Sequence, residues 1–168
     1  MAGATRFEDL VAWQRMNELS VEIWKATERP PSGSDYKFRD QIRDASDSAA
    51  RNVAEGFGRF HPGEFARFLD IARASALETK SLLKKGLDVR YWPPEEFERL
   101  DRLADRGLQS VAKFQRYLRS PQAKRNATAN RYRQRTSNAK NDPNGPNDSN
   151  GPNDPNDPND PKGPNDLP

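Results

Sequence analysis

The sequence predicts an all-α fold, an antiparallel up-and-down four-helix bundle followed by a disordered C-terminal tail. Three observations carry that reading. Ala and Leu supply 30 residues while Val and Ile supply only eight, a bias away from sheet. Apolar residues recur at three- and four-residue steps over four successive stretches. The hydrophobic residues are also concentrated: 49 of 55 fall in the first 119 residues, about 41% of that segment. The chain as a whole is 33% hydrophobic, below the roughly 45–50% of a globular domain. A folded region of about 115 residues and a polar tail follow, and a domain of that size can bury a core.

The first helix is predicted over Asp9–Thr27, with Leu10, Trp13, Met16, Ile23 and Trp24 on its stripe and Pro30, Pro31 and Gly33 ending it. The second starts at Ser34 or Asp35, either a good N-cap, and carries Phe38, Ile42, Ala45, Ala49 and Val53 inward. Gly56 is read as its C-terminal glycine. The third begins with Pro62 in the first turn and Glu64 complementing the dipole. It buries Phe65, Phe68, Leu69, Ala72, Ala76 and Leu83, and ends near Gly86. Tyr91-Trp92-Pro93-Pro94 connects it to the fourth, which runs from Glu95 with Phe97, Leu100, Ala104, Leu108, Val111, Phe114 and Leu118 inside. Short turns between long helices predict antiparallel neighbours. The bundle is predicted to span 7–119, a basic flexible linker 120–140, and a disordered acidic tail 141–168.

Charge is laid out unevenly. The net +3 divides into +2 over the first 120 residues, +6 over 121–140 and −5 over 141–168. The last 28 residues hold eight Asn, six Asp, eight Pro and three Gly, with Asn-Asp-Pro repeating from Asn153 to Pro161. With so little apolar surface to bury, such a segment cannot offset its ordering entropy. Calcium binding by the repeated aspartates is the sharper alternative, but calcium loops need a preorganised turn and usually a bidentate Glu.

Several function classes are excluded or disfavoured. Cysteine is absent, so disulfides, thiolate catalysis and Cys-ligated zinc are ruled out. The one histidine, His61, argues against a His-based metal site or triad. No apolar run of 18 residues is present and Met1–Arg6 has no signal-like core, so no membrane partner and a cytoplasmic location are expected. No nucleophile, metal set or cofactor signature is visible, so neither enzyme activity nor a cofactor is expected. Gly56-Phe57-Gly58 follows a helix rather than a strand, which favours a tight turn using left-handed glycines over a phosphate cradle.

Two basic groups are candidate nucleic-acid contacts. The first is Arg39, Arg43, Arg51 and Arg59 on the second helix and its turn, interleaved with Asp40, Asp44, Asp47 and Glu55. A salt-bridged solvated surface is the competing reading. The second is Lys124, Arg125, Arg131, Arg133, Arg135 and Lys140, with Tyr132 available to stack on a base. Its competing reading is a solubilising linker. Trp13, Trp24 and Trp92 fit either a core or an interface.

Gln41-Ile42-Arg43, Asn52-Val53-Ala54-Glu55-Gly56-Phe57-Gly58-Arg59, Glu64-Phe65 and Phe68-Leu69-Asp70-Ile71-Ala72 resemble the bacterial four-helix-bundle family of the 23S rRNA intervening-sequence protein. The opening Phe7-Glu8-Asp9-Leu10-Val11-Ala12-Trp13-Gln14 resembles that family's start, so the likeness spans about Phe7–Leu118. Its relatives include the accessory variability protein of diversity-generating retroelements, a basic pentameric bundle that partners a reverse transcriptase. The resemblance implies a homo-oligomer, a pentamer by that analogy, with RNA or DNA, a reverse transcriptase or another protein as partner, and no catalysis. Two positions depart from the pattern. Asp44 stands where a second basic residue is common, and His61 where Ser or Thr would cap the third helix better.

Overall fold

A computed structural model describes residues 4–59 and 61–126 of the chain. All of them lie within one unit, Met1–Asn130; a second unit, Arg131–Pro168, holds the predicted tail and the last ten residues of the predicted linker and lies outside the described residues. Among the described residues there are four long helices and no strand: α1 Val11–Ala26, α2 Tyr36–Phe57, α3 Pro62–Asp88 and α4 Pro94–Leu118. Short 3-10 turns precede α1 (Phe7–Asp9) and α2 (Ser32–Ser34). α1 packs on α2 and α4, and α3 packs on the same two.

Each helix starts for a local reason. Asp35 is the cap of α2, its carboxylate accepting from the Phe38 amide at 3.1 Å. His61 caps α3, Nδ1 accepting from the Gly63 amide at 3.2 Å. α1 begins two residues later than predicted, because Asp9 is used in the preceding turn, accepting from the Thr5 and Arg6 amides. The glycines differ most from expectation. Gly56 and Gly86 are not stops but lie inside α2 and α3, both buried. No described glycine adopts a positive φ, so the predicted left-handed turn at Gly56–Gly58 is replaced by right-handed backbone, φ −69° at Gly58. Close approach is the reason for Gly86: a Cβ there would lie 2.1 Å from Trp92 Cζ2. Left-handed backbone occurs instead at Arg90, φ 61°, where the Tyr91 amide reaches back to the Gly86 carbonyl at 2.8 Å and closes α3.

Helical backbone resumes over residues 121–126 with Ala123 buried, so the folded part extends past the predicted end at 119 into what the composition marks as linker.

The core consists of two patches. One contains Met16, Val53, Leu69 and Val111 with Phe65; the other contains Ile23, Phe38, Ile42, Leu83, Trp92 and Leu100. Burying each large side chain is worth about 1.5–3 kcal/mol, whereas an exposed ion pair contributes about 0–1 kcal/mol. Apolar burial, not the many surface pairs, therefore holds the fold. No buried side-chain polar atom among the described residues lacks a partner. Specific pairs tie the helices: Ser20 to Asp47, Arg43 to Thr27, Ser48 to Ser75, Glu22 to Arg99, Lys80 to Asp101, and Gln115 to the Ala66 carbonyl.

Candidate nucleic-acid interface

The arginines of α2 do not form one face. Arg43 and Arg51 are eight residues apart, which at about 100° per residue turns the helix by about 80°, and Arg59 lies beyond the end of α2 at Phe57. Arg39 pairs with Asp40 at 2.8 Å and covers the Tyr36 ring at 4.8 Å. Arg43 is committed to the fold. Its Nε donates to Thr27 Oγ1 at 2.8 Å and its Nη2 to the Thr27 and Trp24 carbonyls at 3.0 and 3.3 Å, while the guanidinium lies 4.0 Å from the Trp24 ring centroid. It thus caps the orphan carbonyls at the end of α1. Arg59 pairs with Glu55 at 2.9 Å and covers Phe68. Arg51 alone of the four is exposed without an ion pair among the described residues, and it sits in a shallow α2–α3 groove with Asp44 and Glu78. Of the four, Arg39 and Arg59 are salt-bridged, to the adjacent Asp40 and to Glu55 one turn away, whereas Arg43 is held by the end of α1 and Arg51 stays open.

A different basic surface is assembled on α4. From Arg106 to Asn141 the sequence holds ten Lys and Arg and no Asp or Glu. Arg106, Lys113 and Arg116 are exposed and form no ion pair among the described residues. With Arg102 and Tyr117 they occupy about 100° of the helix circumference over about 22 Å of axis. Glu95 and Glu98 share this face only at its N-terminal end, and the later acids of α4 are engaged across the bundle. Asp101 and Asp105 both reach across to Lys80 of α3. Burial works against the charged Lys80, yet the hydrogen bonds it donates to Asp105 and Asp101 outweigh it and raise its pKa. Arg99 bridges Glu96 and Glu22, and Arg102 pairs with Glu98 at 3.3 Å.

The predicted contacts Lys124 and Arg125 continue this end of the molecule, both exposed on the 121–126 helical segment, Arg125 donating to Gln122 at 2.9 Å. Arg131, Arg133 and Arg135 lie outside the described residues. The sequence reading starts the basic segment at Pro121 and so leaves out Arg106, Lys113 and Arg116. The absence of acids from Arg106 onward was the signal that finds them.

A family profile agrees with this helical framework. That of the 23S rRNA-intervening sequence protein matches residues 8–127. The chain belongs to the 23S rRNA-intervening sequence protein family. Among solved structures it is similar to a protein of unknown function from the S23 ribosomal protein family of Bacteroides thetaiotaomicron, with a TM-score of 0.60 and 19% identity. That match covers 65% of this chain and 98% of the other, and at this identity it speaks to the fold alone. No curated protein matches the chain. Family membership places the α4 surface inside the shared helical domain, since the matched residues extend through Asn126 to 127. No described helix is long and apolar enough to cross a membrane.

Proposed function

We propose that this member of the 23S rRNA-intervening sequence protein family is a non-catalytic, oligomeric adaptor of the cytoplasm that contacts the phosphate backbone of RNA or DNA weakly and with little sequence preference. The observation that carries the reading is the row Arg106, Lys113 and Arg116 on the exposed face of α4, which forms no ion pair among the described residues. Flexible cations on one helix face suit phosphate oxygens, and binding of that kind gains from counterion release. Lys124, Arg125, Arg131, Arg133 and Arg135 are proposed to extend the contact, with Arg51 outlying; Arg39, Arg43 and Arg59 are occupied by their own neighbours. The bundle is proposed to run up and down. Partner numbers fall along one helix as they rise along the next, as in Ser20–Asp47 against Thr27–Arg43 and Lys80–Asp101 against Asp70–Arg119.

The test is a titration with labelled RNA and DNA at about 50 mM salt, where phosphate contacts are strongest. Replacing Arg106, Lys113 and Arg116 together with Gln lowers the slope of log affinity against log salt by about 2, from about 0.7 per neutralised contact on single strands. Deleting 141–168 removes five net negative charges per chain and strengthens binding. No binding at about 50 mM salt by either the full chain or the tail-deleted chain refutes the reading.

Self-association as a ring of five remains part of the proposal, since five copies would repeat the basic row and raise avidity. Light scattering that finds only a 19.1 kDa species removes it. A second reading, a protein-interaction module whose partner is a reverse transcriptase or another protein, is favoured by apolar exposure at Ile71 and Leu77 on α3.

A further inference from the structure

The basic row of α4 carries one residue that phosphate contact does not use. Tyr117 is 40% exposed, on the same face as Lys113 one turn before it and Arg106 three turns before it. Its ring is held from within. It lies nearly parallel to Phe114, 10° between planes and 6.3 Å between centroids, and Phe114 meets the buried Phe65 edge-on at 5.0 Å. The hydroxyl accepts from Asn126 Nδ2 at 3.2 Å, which fixes its direction. The other two strongly exposed aromatic rings on the described surface, Trp24 and Tyr36, are each covered by an arginine of the same chain. Tyr117 has no such cover among the described residues, although Arg116 and Arg119 are its nearest cations in sequence.

We propose that the α4 surface takes single-stranded nucleic acid, with one base stacked on Tyr117 and the flanking phosphates on Lys113, Arg116 and Arg106. This rests on the phosphate-contact reading above and adds a substrate class to it. Cations alone do not distinguish a single strand from a duplex, because both present phosphates. A stacking ring does. Every base of a duplex already has both faces covered, so using Tyr117 there costs a few kcal/mol of unstacking. A single strand offers a free face, and base–aromatic stacking tolerates any sequence. The aromatic stack beneath Tyr117 means that little side-chain freedom is lost on binding.

The experiment compares a 20-nucleotide labelled single strand with its own duplex by fluorescence anisotropy, using the full chain. The wild type is expected to favour the single strand. Tyr117→Ala is expected to lose about tenfold in single-strand affinity, within the range of alanine substitutions at stacking sites, and to narrow the preference over the duplex. Tyr117→Phe keeps both. In parallel, a 5-bromouracil-substituted single strand is irradiated with the unaltered protein and the adduct mapped by mass spectrometry, expected at Tyr117. Equal affinity for strand and duplex, equal losses on both in Tyr117→Ala, or adducts only elsewhere would overturn the stacking proposal while the phosphate-contact reading stands. Absence of binding to either form overturns both.

Discussion

Arg43 was a candidate for contacting nucleic acid, and its surroundings make a sharp opposite prediction. Truncating it to Ala removes three hydrogen bonds at the end of α1 and the guanidinium over Trp24. The two shorter bonds, at 2.8 and 3.0 Å, are each worth about 1 kcal/mol where water can partly replace them. The cation–π contact at a half-exposed site adds about 0.5–1 kcal/mol. The loss is therefore about 2.5–3 kcal/mol. At about 3–5 °C per kcal/mol for a domain of this size, Tm falls by about 8–15 °C. Arg43→Lys recovers little, because one ammonium on a flexible stem cannot reach Thr27 Oγ1 and two carbonyls together. Thermal melting followed by circular dichroism decides, with anisotropy on the folded variant at low temperature as the second readout. A Tm within about 2 °C of wild type, the range of ordinary surface changes, combined with a clear loss of nucleic-acid affinity, would refute the structural assignment.

Gly86→Ala is expected to lower Tm despite gaining about 1 kcal/mol of helix propensity. The new Cβ would lie 2.1 Å from Trp92 Cζ2, and Trp92 is pinned by its indole N–H on the Leu83 carbonyl at 3.1 Å; overpacking costs about 1–3 kcal/mol or more, and a rise in Tm in a thermal melt would contradict this. Arg90→Gly is expected to stabilise by about 0.5–1 kcal/mol in a urea titration. Releasing a left-handed side chain gains about 1–2 kcal/mol and glycine's extra chain entropy returns about 0.5–1 kcal/mol. The Tyr91 hydroxyl donates to Asp35 at 2.5 Å, which holds the Asp35 carboxyl below and the Tyr91 phenol above their usual ranges. The depressed carboxyl contributes stability above about pH 4 that is lost as pH falls through its folded value; the raised phenol contributes below about pH 10 and loses it as pH rises through its own. The Tm gap between wild type and Tyr91→Phe is thus widest between those limits and closes at both ends, and a gap independent of pH would show that the pair is not the cause.

The four helices were legible because a buried stripe leaves a period of 3.6 in any sequence, and the Asp35 cap was legible because capping is local. What failed was whatever depended on a partner distant in sequence. Gly86 looks like a helix stop because glycine serves equally for a left-handed cap and for close packing; only the fold brings Trp92 against it. Arg43 looks like a surface cation because backbone carbonyls, its actual partners, have no sequence signature. The basic row of α4 was visible in principle. It was hidden by dividing the chain at Pro121, which separated Arg106, Lys113 and Arg116 from Lys124 and Arg125, though helical backbone continues through residues 121–126.

Stability does not account for that row, and this gives it meaning. α4 spends its acids in its first half, on Lys80, Arg99 and Arg102. Beyond Asp105 it offers cations with nothing of opposite sign on the same helix. Arg116 lies in the last turn, where the helix dipole favours a positive charge by about 0.3–1 kcal/mol. Arg106 and Lys113 lie further in, where that effect has decayed, and they bury no charge and satisfy no carboxylate among the described residues. Replacing both with Gln should therefore leave unfolding free energy within about 0.5 kcal/mol of wild type, while phosphate affinity at low salt falls. A loss of more than about 1 kcal/mol in a denaturant titration would mean that the row serves the fold after all, and the case for an external polyanion would lose its main support.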